Sequence, residues 1–150
     1  MELLKLVALD RDDIEVISTH LQDATLTVGD IYWRPPEKRL VISLARFDWE
    51  GSLAGNPKFQ RRGTALRFDR VNSIKCRNVD CKDKQRALNL LAVEFSETDP
   101  PGGVVTLTFA DGVTLRLEVE CLECEMVDLG PVWAAKSCPL HVDDGDIQVA

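Results

Sequence analysis

The chain has 150 residues, of which 45% are hydrophobic and 29% charged, a composition that fits a soluble globular protein and indicates neither disorder nor a membrane span. No apolar run is long enough to cross a bilayer, and the amino terminus lacks the basic start and the cleavage site of a signal peptide. We therefore expect a single domain, 1–150, that is cytoplasmic, has no membrane partner and keeps its five cysteines reduced.

The first predicted elements are a short strand and a helix. Leu3–Leu9 is apolar and has the length of a strand. Asp10 follows as a candidate helix cap, and Ile14, Ile17 and Leu21 then repeat at helical spacing. The pattern predicts a helix that begins after Asp10 and buries one apolar stripe.

The middle of the chain predicts several strands that bend. In four ranges apolar and polar residues alternate, but partway along the alternation is interrupted or the apolar residues move to the other face of the strand: 25–33, 39–50, 66–76 and 88–95. Such a change within a strand indicates a bend or a bulge. Two other segments have no apolar period, so we predict a mobile loop over 51–63 and a charged connection over 77–86.

The clearest pattern is a hairpin over 104–120. Apolar and polar residues alternate on both sides of an Asp-Gly pair, which is typical of two antiparallel strands with one buried face. A two-residue loop would set apolar side chains opposite polar ones. A three-residue loop over 110–112 instead pairs Phe109 with Val113 and requires Gly112 in the left-handed conformation.

The carboxyl-terminal part predicts a helix and a tail. Leu122, Met126 and Leu129 repeat at helical spacing before a Gly-Pro pair, and we expect a frayed acidic tail over 142–150. The predicted fold class is therefore α+β, mainly antiparallel β. We expect a bent sheet roll or partly open barrel with this carboxyl-terminal helix, an order of elements similar to the pleckstrin-homology-like superfold.

Five short segments identify a family. They are LQDA at 21–24, RFDWE at 46–50, LRFDRV at 66–71, PGG at 101–103 and LRLEVE at 115–120. With them the chain resembles, over nearly its whole length, an uncharacterised family of small bacterial proteins that have a domain of unknown function. The resemblance implies no activity, substrate or catalytic residue.

Four side chains form a candidate zinc site. Cys121 and Cys124 are a Cys-x₂-Cys pair, and Cys138 and His141 are a Cys-x₂-His pair after 13 intervening residues. Three sulfurs and one nitrogen would suit tetrahedral zinc. The first pair lacks the glycine-bearing turn that presents two thiolates, however, and cysteine is a common buried residue. We expect packing and no cofactor, with a structural zinc domain as the alternative.

A second candidate site combines aromatic and basic side chains. Phe47 and Trp49 alternate with charged residues, and Arg61, Arg62 and Arg67 follow in a basic segment. Inward packing of both aromatic rings is the simpler interpretation. If the rings are exposed beside the basic loop, the five residues form a patch that binds a peptide or an anionic small molecule.

The charge of the chain is divided along its length. Residues 58–86 carry a net charge of +7, and the remainder carries −14, for a total of −7. The acidic remainder repels phosphate, so we expect no nucleic-acid partner. The sequence predicts a small binding or regulatory module that recognises a protein or its own copy. The alternative is an enzyme or anion-binding protein with a pocket near 58–70.

Overall fold

The computed structural model describes residues 3–47 and 60–134. Within these ranges lie β1 (Lys5–Ala8), α1 (Arg11–Leu21), β2 (Ala24–Thr27), β3 (Ile31–Arg34), β4 (Arg39–Phe47), β5 (Gln60–Phe68), β6 (Val71–Arg77), β7 (Ala87–Glu97), β8 (Gly103–Phe109), β9 (Thr114–Val119) and β10 (Cys124–Ala134). The acidic tail predicted over 142–150 and residues 51–59 of the predicted loop lie outside them. The strands pair antiparallel throughout, which confirms the mainly antiparallel β prediction.

Helix α1 forms as its sequence predicts. The Asp10 carboxylate accepts a hydrogen bond from the amide of Asp13 (2.8 Å), which satisfies one of the free N–H groups of the first turn. Ile14, Ile17 and Leu21 are buried in the same cluster as the inward side chains of the sheet. Within the described ranges, no helix has the length and apolar content needed to cross a bilayer.

The predicted hairpin is confirmed in register and in loop. Leu107 pairs with Leu115, and the amide of Phe109 donates to the carbonyl of Val113 (2.9 Å) across a three-residue loop. Gly112 has φ +74°, the left-handed conformation that the register requires. The two strands bury the side chains of one face and leave those of the other accessible to solvent, as the alternation predicts.

The strands form one bent sheet in the order β1-β10-β5-β4-β2-β7-β8-β9-β6, with β3 paired to part of β4. The chain turns from one half to the other at a corner where β5 leads into β6 and β9 into β10. There the amide of Asp69 donates to the carbonyl of Glu123 (3.0 Å), and the amide of Glu120 donates to the carbonyl of Arg70 (2.9 Å). Among the described strands β1 and β6 are the outer ones, so this part of the chain forms a sheet that is bent but does not close.

The other predicted bends have local causes. A short 3₁₀ turn over Val28–Asp30 separates β2 from β3, and Arg70, at φ +61°, separates β5 from β6. The register of β7 shifts between Leu90 and Ala92, which is the bulge indicated by its change of parity.

The predicted carboxyl-terminal helix is wrong, because this part of the chain forms β10, which pairs with β5 and β1. Leu122 and Met126 are both buried, but a spacing of four fits two strand periods as well as one helical turn. Leu129, the third member of the helical pattern, is 54% exposed. The helix that packs on the sheet is α1, at the amino end, and the pleckstrin-homology-like arrangement stays a prediction.

Candidate functional site

The aromatic and basic residues predicted to share one site separate in the structure. Trp49 lies outside the described residues. Phe47 and Arg61 pair at the ends of β4 and β5, with the guanidinium carbon 5.9 Å from the ring centroid. Arg61 and Arg62 are only 1% and 6% exposed, so the prediction that they sit in a mobile, exposed loop is wrong. Arg67 lies farther along β5, in a different cleft.

Two buried charged residues that the sequence analysis did not single out hold this end of the sheet together. The Arg46 guanidinium donates from Nε and Nη2 to the two carboxylate oxygens of Asp128, each at 2.8 Å. The Asp128 carboxylate also accepts from the Thr64 hydroxyl (2.9 Å) and from the Leu4 amide (3.0 Å). The two side chains are at most 1% exposed, so they form a buried, bidentate ion pair in which the remaining acceptor sites of the carboxylate are used.

The strand register explains why these groups meet. β5 lies between β4 and β10, and Thr64 is opposite both Leu44 and Asp128. Arg46 is two residues beyond Leu44 on the same face, so its long side chain reaches across β5. Arg46 therefore continues the buried series of β4 that begins at Leu40. The period of two that places Leu40, Ile42 and Leu44 on one face of β4 also places Arg46 there, and this was the sequence signal that could have predicted a buried arginine.

Burial and hydrogen bonding act in opposite directions on the Asp128 carboxyl. Burial by itself would raise the pKa of Asp128, but the hydrogen bonds from Arg46, the Leu4 amide and Thr64 outweigh it and hold the pKa below its ordinary value. The carboxylate is therefore charged at neutral pH and matches the guanidinium.

Arg61 is buried with different contacts. Its Nη1 donates to the carbonyls of Asp23 (3.1 Å) and Ala45 (3.2 Å). Burial lowers the pKa of Arg61, and the nearby Asp23 carboxylate partly counteracts this. The guanidinium thus joins the start of β2 to β4. Its contacts are with the protein itself, which makes it a positioning group for these strands.

Arg67 lines a cleft of ≈ 410 Å³ at the corner of the sheet. The Asp69 carboxylate accepts from Nε of Arg39 (2.7 Å) and from Nε of Arg67 (3.0 Å), and Arg70 pairs with Glu123 (3.5 Å). The hydrogen bond to Asp69 raises the pKa of Arg39. Four cations and three carboxylates line this cleft: Lys38, Arg39, Arg67 and Arg70 with Glu37, Asp69 and Glu123. Most of its positive charge is therefore neutralised within the protein.

A larger groove, of ≈ 580 Å³, lies between the first half of α1 and the outer part of β7. Glu15, Glu94 and Glu97 line it together with Arg11, so its walls carry a net charge of −2. Arg11 pairs with Glu15 at 3.8 Å. Among the described residues no cation forms an ion pair with Glu94 or Glu97. Phe95 and Val104 add apolar lining, so the groove is acidic with an apolar part.

The same groove exposes a free length of strand edge. β2 pairs with β7 only as far as Leu90, and farther along the amide of Val93 donates to the hydroxyl of Ser18 on α1 (2.9 Å). Alternate residues of a strand direct their backbone groups to the same side. The N–H and C=O groups of Phe95 and Glu97 therefore face the groove, as those of Val93 do. In residues 3–47 and 60–134, no strand covers this side of β7 beyond Leu90.

Half of the candidate zinc ligands can be located. Cys124 is 2% exposed within the core, where burial raises its pKa, and Cys121 is half-buried. Cys138 and His141 lie outside the described residues. Across the ranges that the structure covers, no three metal-ligating side chains converge. The expectation that the chain holds no zinc stays a prediction.

Comparison with known proteins places the chain in a family. No curated protein and no solved structure matches it. The model of a family described as a protein of unknown function, DUF2948, matches residues 4–141. This range contains all the strands and the helix described above, including both walls of the groove. It also confirms the resemblance to an uncharacterised family, so the chain belongs to the DUF2948 family.

Proposed function

We propose that this chain is a cytoplasmic protein-recognition module that binds an extended, basic segment of a partner protein along the open edge of β7. The observation that carries the proposal is the pair of backbone positions, Phe95 and Glu97, whose N–H and C=O groups face the groove beside α1. Extended peptides bind such edges by adding a strand, because free ladder groups are a ready template for pairing.

The groove supplies selectivity as well as a template. In strand addition the main chain provides affinity, and pockets for alternate side chains provide specificity. The carboxylates of Glu94 and Glu97 favour lysine or arginine at positions that flank the added strand. Phe95 and Val104 offer apolar contact between them, and α1 forms the opposite wall. The ligand class that fits is therefore a basic peptide with apolar residues in alternation.

The other functions considered from the sequence have weaker support. An anion site near 58–70 required Arg61, Arg62 and Arg67 to converge at the surface, but the first two are buried and Arg67 pairs with Asp69. Nucleic acid is disfavoured at the groove because its acidic walls repel phosphate.

The test begins with selection from a display library of random short peptides on the intact chain. We expect enrichment of lysine and arginine in the peptides that bind. Glu94→Lys with Glu97→Lys should weaken binding of a selected peptide by about tenfold or more, because the groove then repels it. Glu37→Lys with Asp83→Lys makes the same change in net charge at exposed positions outside the groove, and should leave binding nearly intact.

Amide hydrogen exchange locates the bound peptide. We expect the amides of Phe95 and Glu97 to gain protection, while those of Glu94 and Ser96, on the β8 side of the strand, change little. Protection of the 60–70 segment instead, or enrichment of acidic peptides, would refute the proposal. If no peptide is selected and sedimentation shows self-association through this edge, the ligand of the edge is a second copy of the chain and not a partner protein.

A further inference from the structure

Two exposed cysteines lie together in the basic part of the chain. Cys76 is near the end of β6, and Cys81 is in the connection between β6 and β7. Their sulfur atoms are 3.2 Å apart, within contact distance. A disulfide needs an S–S distance of about 2.05 Å, so a movement of roughly 1 Å would join them.

Local hydrogen bonds bring the two sulfurs together. Asn78 has φ +63°, a left-handed conformation that turns the chain back on itself. Its side chain donates to the carbonyl of Gly112 (2.8 Å), and its own carbonyl accepts from Arg86 (3.0 Å). The Asp80 carboxylate accepts from the Lys82 amide (2.9 Å). These hydrogen bonds therefore stabilise the turn that brings the two sulfur atoms into contact.

We propose that Cys76 and Cys81 are a redox-active pair that forms a reversible disulfide by exchange with a low-molecular-weight disulfide such as oxidised glutathione. The site and its chemistry are independent of the proposed peptide groove. Lys75, Arg77 and Lys82 flank the two cysteines in sequence, and their positive charge attracts an anionic disulfide such as oxidised glutathione.

The exchange proceeds in two steps. One protein thiol loses its proton and attacks a sulfur of the small disulfide, which releases one small thiol and leaves a mixed disulfide on the protein. The second protein thiol then attacks the protein sulfur and releases the other small thiol. Two protein thiols are oxidised by two electrons, one small disulfide is reduced to two thiols, and the two protons end on those thiols.

The order of attack follows from the surroundings of Cys76. Although Cys76 as a residue is exposed, partial burial of its thiol, and then the contact with Cys81, raises the pKa of Cys76 to about 11, so Cys76 is almost fully protonated at neutral pH. Cys81 therefore makes the first attack and Cys76 the second. Stabilisation of a thiolate favours the reduced form of a dithiol. Because the thiol of Cys76 is protonated, this pair lacks that stabilisation, and its equilibrium favours the disulfide more strongly.

The test uses the full chain, equilibrated with reduced and oxidised glutathione, alkylated and digested with trypsin. Trypsin cuts after Lys75, Arg77 and Lys82, so the two cysteines fall in separate peptides, 76–77 and 78–82. We expect these peptides to be joined by a disulfide that disappears as the glutathione buffer becomes more reducing. Cys81→Ser removes the thiol that attacks first and should leave Cys76 reduced, whereas Cys121→Ser, the matched control at a half-buried cysteine, should leave the linkage unchanged.

Three results would overturn the proposal. The first is two free thiols at every glutathione ratio, and the second is a wild-type chain that carries glutathione on one cysteine without closing the pair. The third is a disulfide between two molecules, seen as a dimer on a non-reducing gel. The digest and the non-reducing gel of the wild-type chain decide between these results together, so the conclusion does not depend on whether a variant folds.

Discussion

At the scale of single residues, the Arg46–Asp128 pair is costly to disrupt when only one of its two partners is removed. Both charges are almost fully buried, and the desolvation of such a pair is offset only when its geometry is close and every remaining acceptor is used. The two 2.8 Å bonds, the Thr64 hydroxyl and the Leu4 amide meet that condition. The pair therefore acts as a unit.

The first prediction at this scale concerns the removal of one partner of the Arg46–Asp128 pair. Asp128→Ala leaves the Arg46 charge buried without its carboxylate, and should lower the free energy of unfolding by about 3–5 kcal/mol. Replacement of both partners, Arg46→Met with Asp128→Leu, should cost much less or be neutral, because neither charge of the pair remains buried. Urea unfolding of the three proteins measures this. Equal losses in the single and the double variant would show that the ion pair is not what holds this end of the sheet.

The same pair should make stability depend on acidity. The pKa of Asp128 is lower in the folded chain than the ordinary value of about 3.9, so its contribution is fully present above that value and is lost as the pH falls through the folded pKa. The free energy of unfolding of the wild type should therefore fall below about pH 4 more steeply than that of the double variant. Parallel slopes for the two proteins would contradict the lowered pKa.

At the scale of elements, the loop of the β8–β9 hairpin depends on two consecutive residues with positive φ. Asp111 has φ +65° and Gly112 has φ +74°. A Cβ atom at Gly112 would meet its nearest atom, Asn78 Nδ2, at 3.5 Å, an ordinary contact. The requirement for glycine is therefore set by the backbone conformation and not by lack of space.

A prediction follows for this loop. Gly112→Val should lower the free energy of unfolding by about 1–2 kcal/mol, because a β-branched residue is strained at positive φ. Gly112→Asn should cost less, since asparagine tolerates the left-handed region. Thermal melts of the three proteins provide the comparison. An unchanged midpoint for the valine variant would mean that the loop adopts another conformation in solution.

The elements that could be predicted from sequence are those with one consistent period and a local signal. Helix α1 has a cap at Asp10 and a stripe of the right spacing, and the β8–β9 hairpin has strict alternation around its loop. The β10 segment could not be predicted, because the spacing from Leu122 to Met126 satisfies both periods, and its pairing with β5 and β1 decides between them. Long-range pairing of this kind leaves no local trace.

Dependence on long-range contacts also explains why the buried arginines and the open edge of β7 were not predicted from the sequence. Arg61 and Arg62 lack an apolar period because polar side chains occupy buried positions at that end of β5, so the segment resembles a loop. The free edge of β7 is defined by where β2 stops, at Leu90, and by the position of α1. Neither depends on the residues of the edge itself, so no motif marks it.

At the scale of the whole molecule, the charge division predicted from the sequence produces contacts across the corner of the sheet. Arg67 and Arg70, from the basic segment, pair with Glu125 (3.7 Å) and Glu123 (3.5 Å), from the acidic part. These pairs are exposed enough that each contributes little, about 0–1 kcal/mol. Their positions tie β5 and β10 together where both strands bend. The acidic groove lies elsewhere, beside α1, so it does not compete for the same cations.

The pairing of β1 with β10 also has a consequence for how the protein is made. The Leu4 amide and the Asp128 carboxylate that it contacts are separated by 124 positions in the chain. A ribosome releases the amino end first, so β1 emerges long before β10, the one described strand that pairs with it, and Arg46 emerges long before the Asp128 carboxylate. Closing so long a loop slows folding more than it weakens the finished structure. Until β10 leaves the ribosome, the nascent chain carries Arg46 without the Asp128 carboxylate and β1 without its partner strand, and both are features that molecular chaperones and proteases encounter during synthesis.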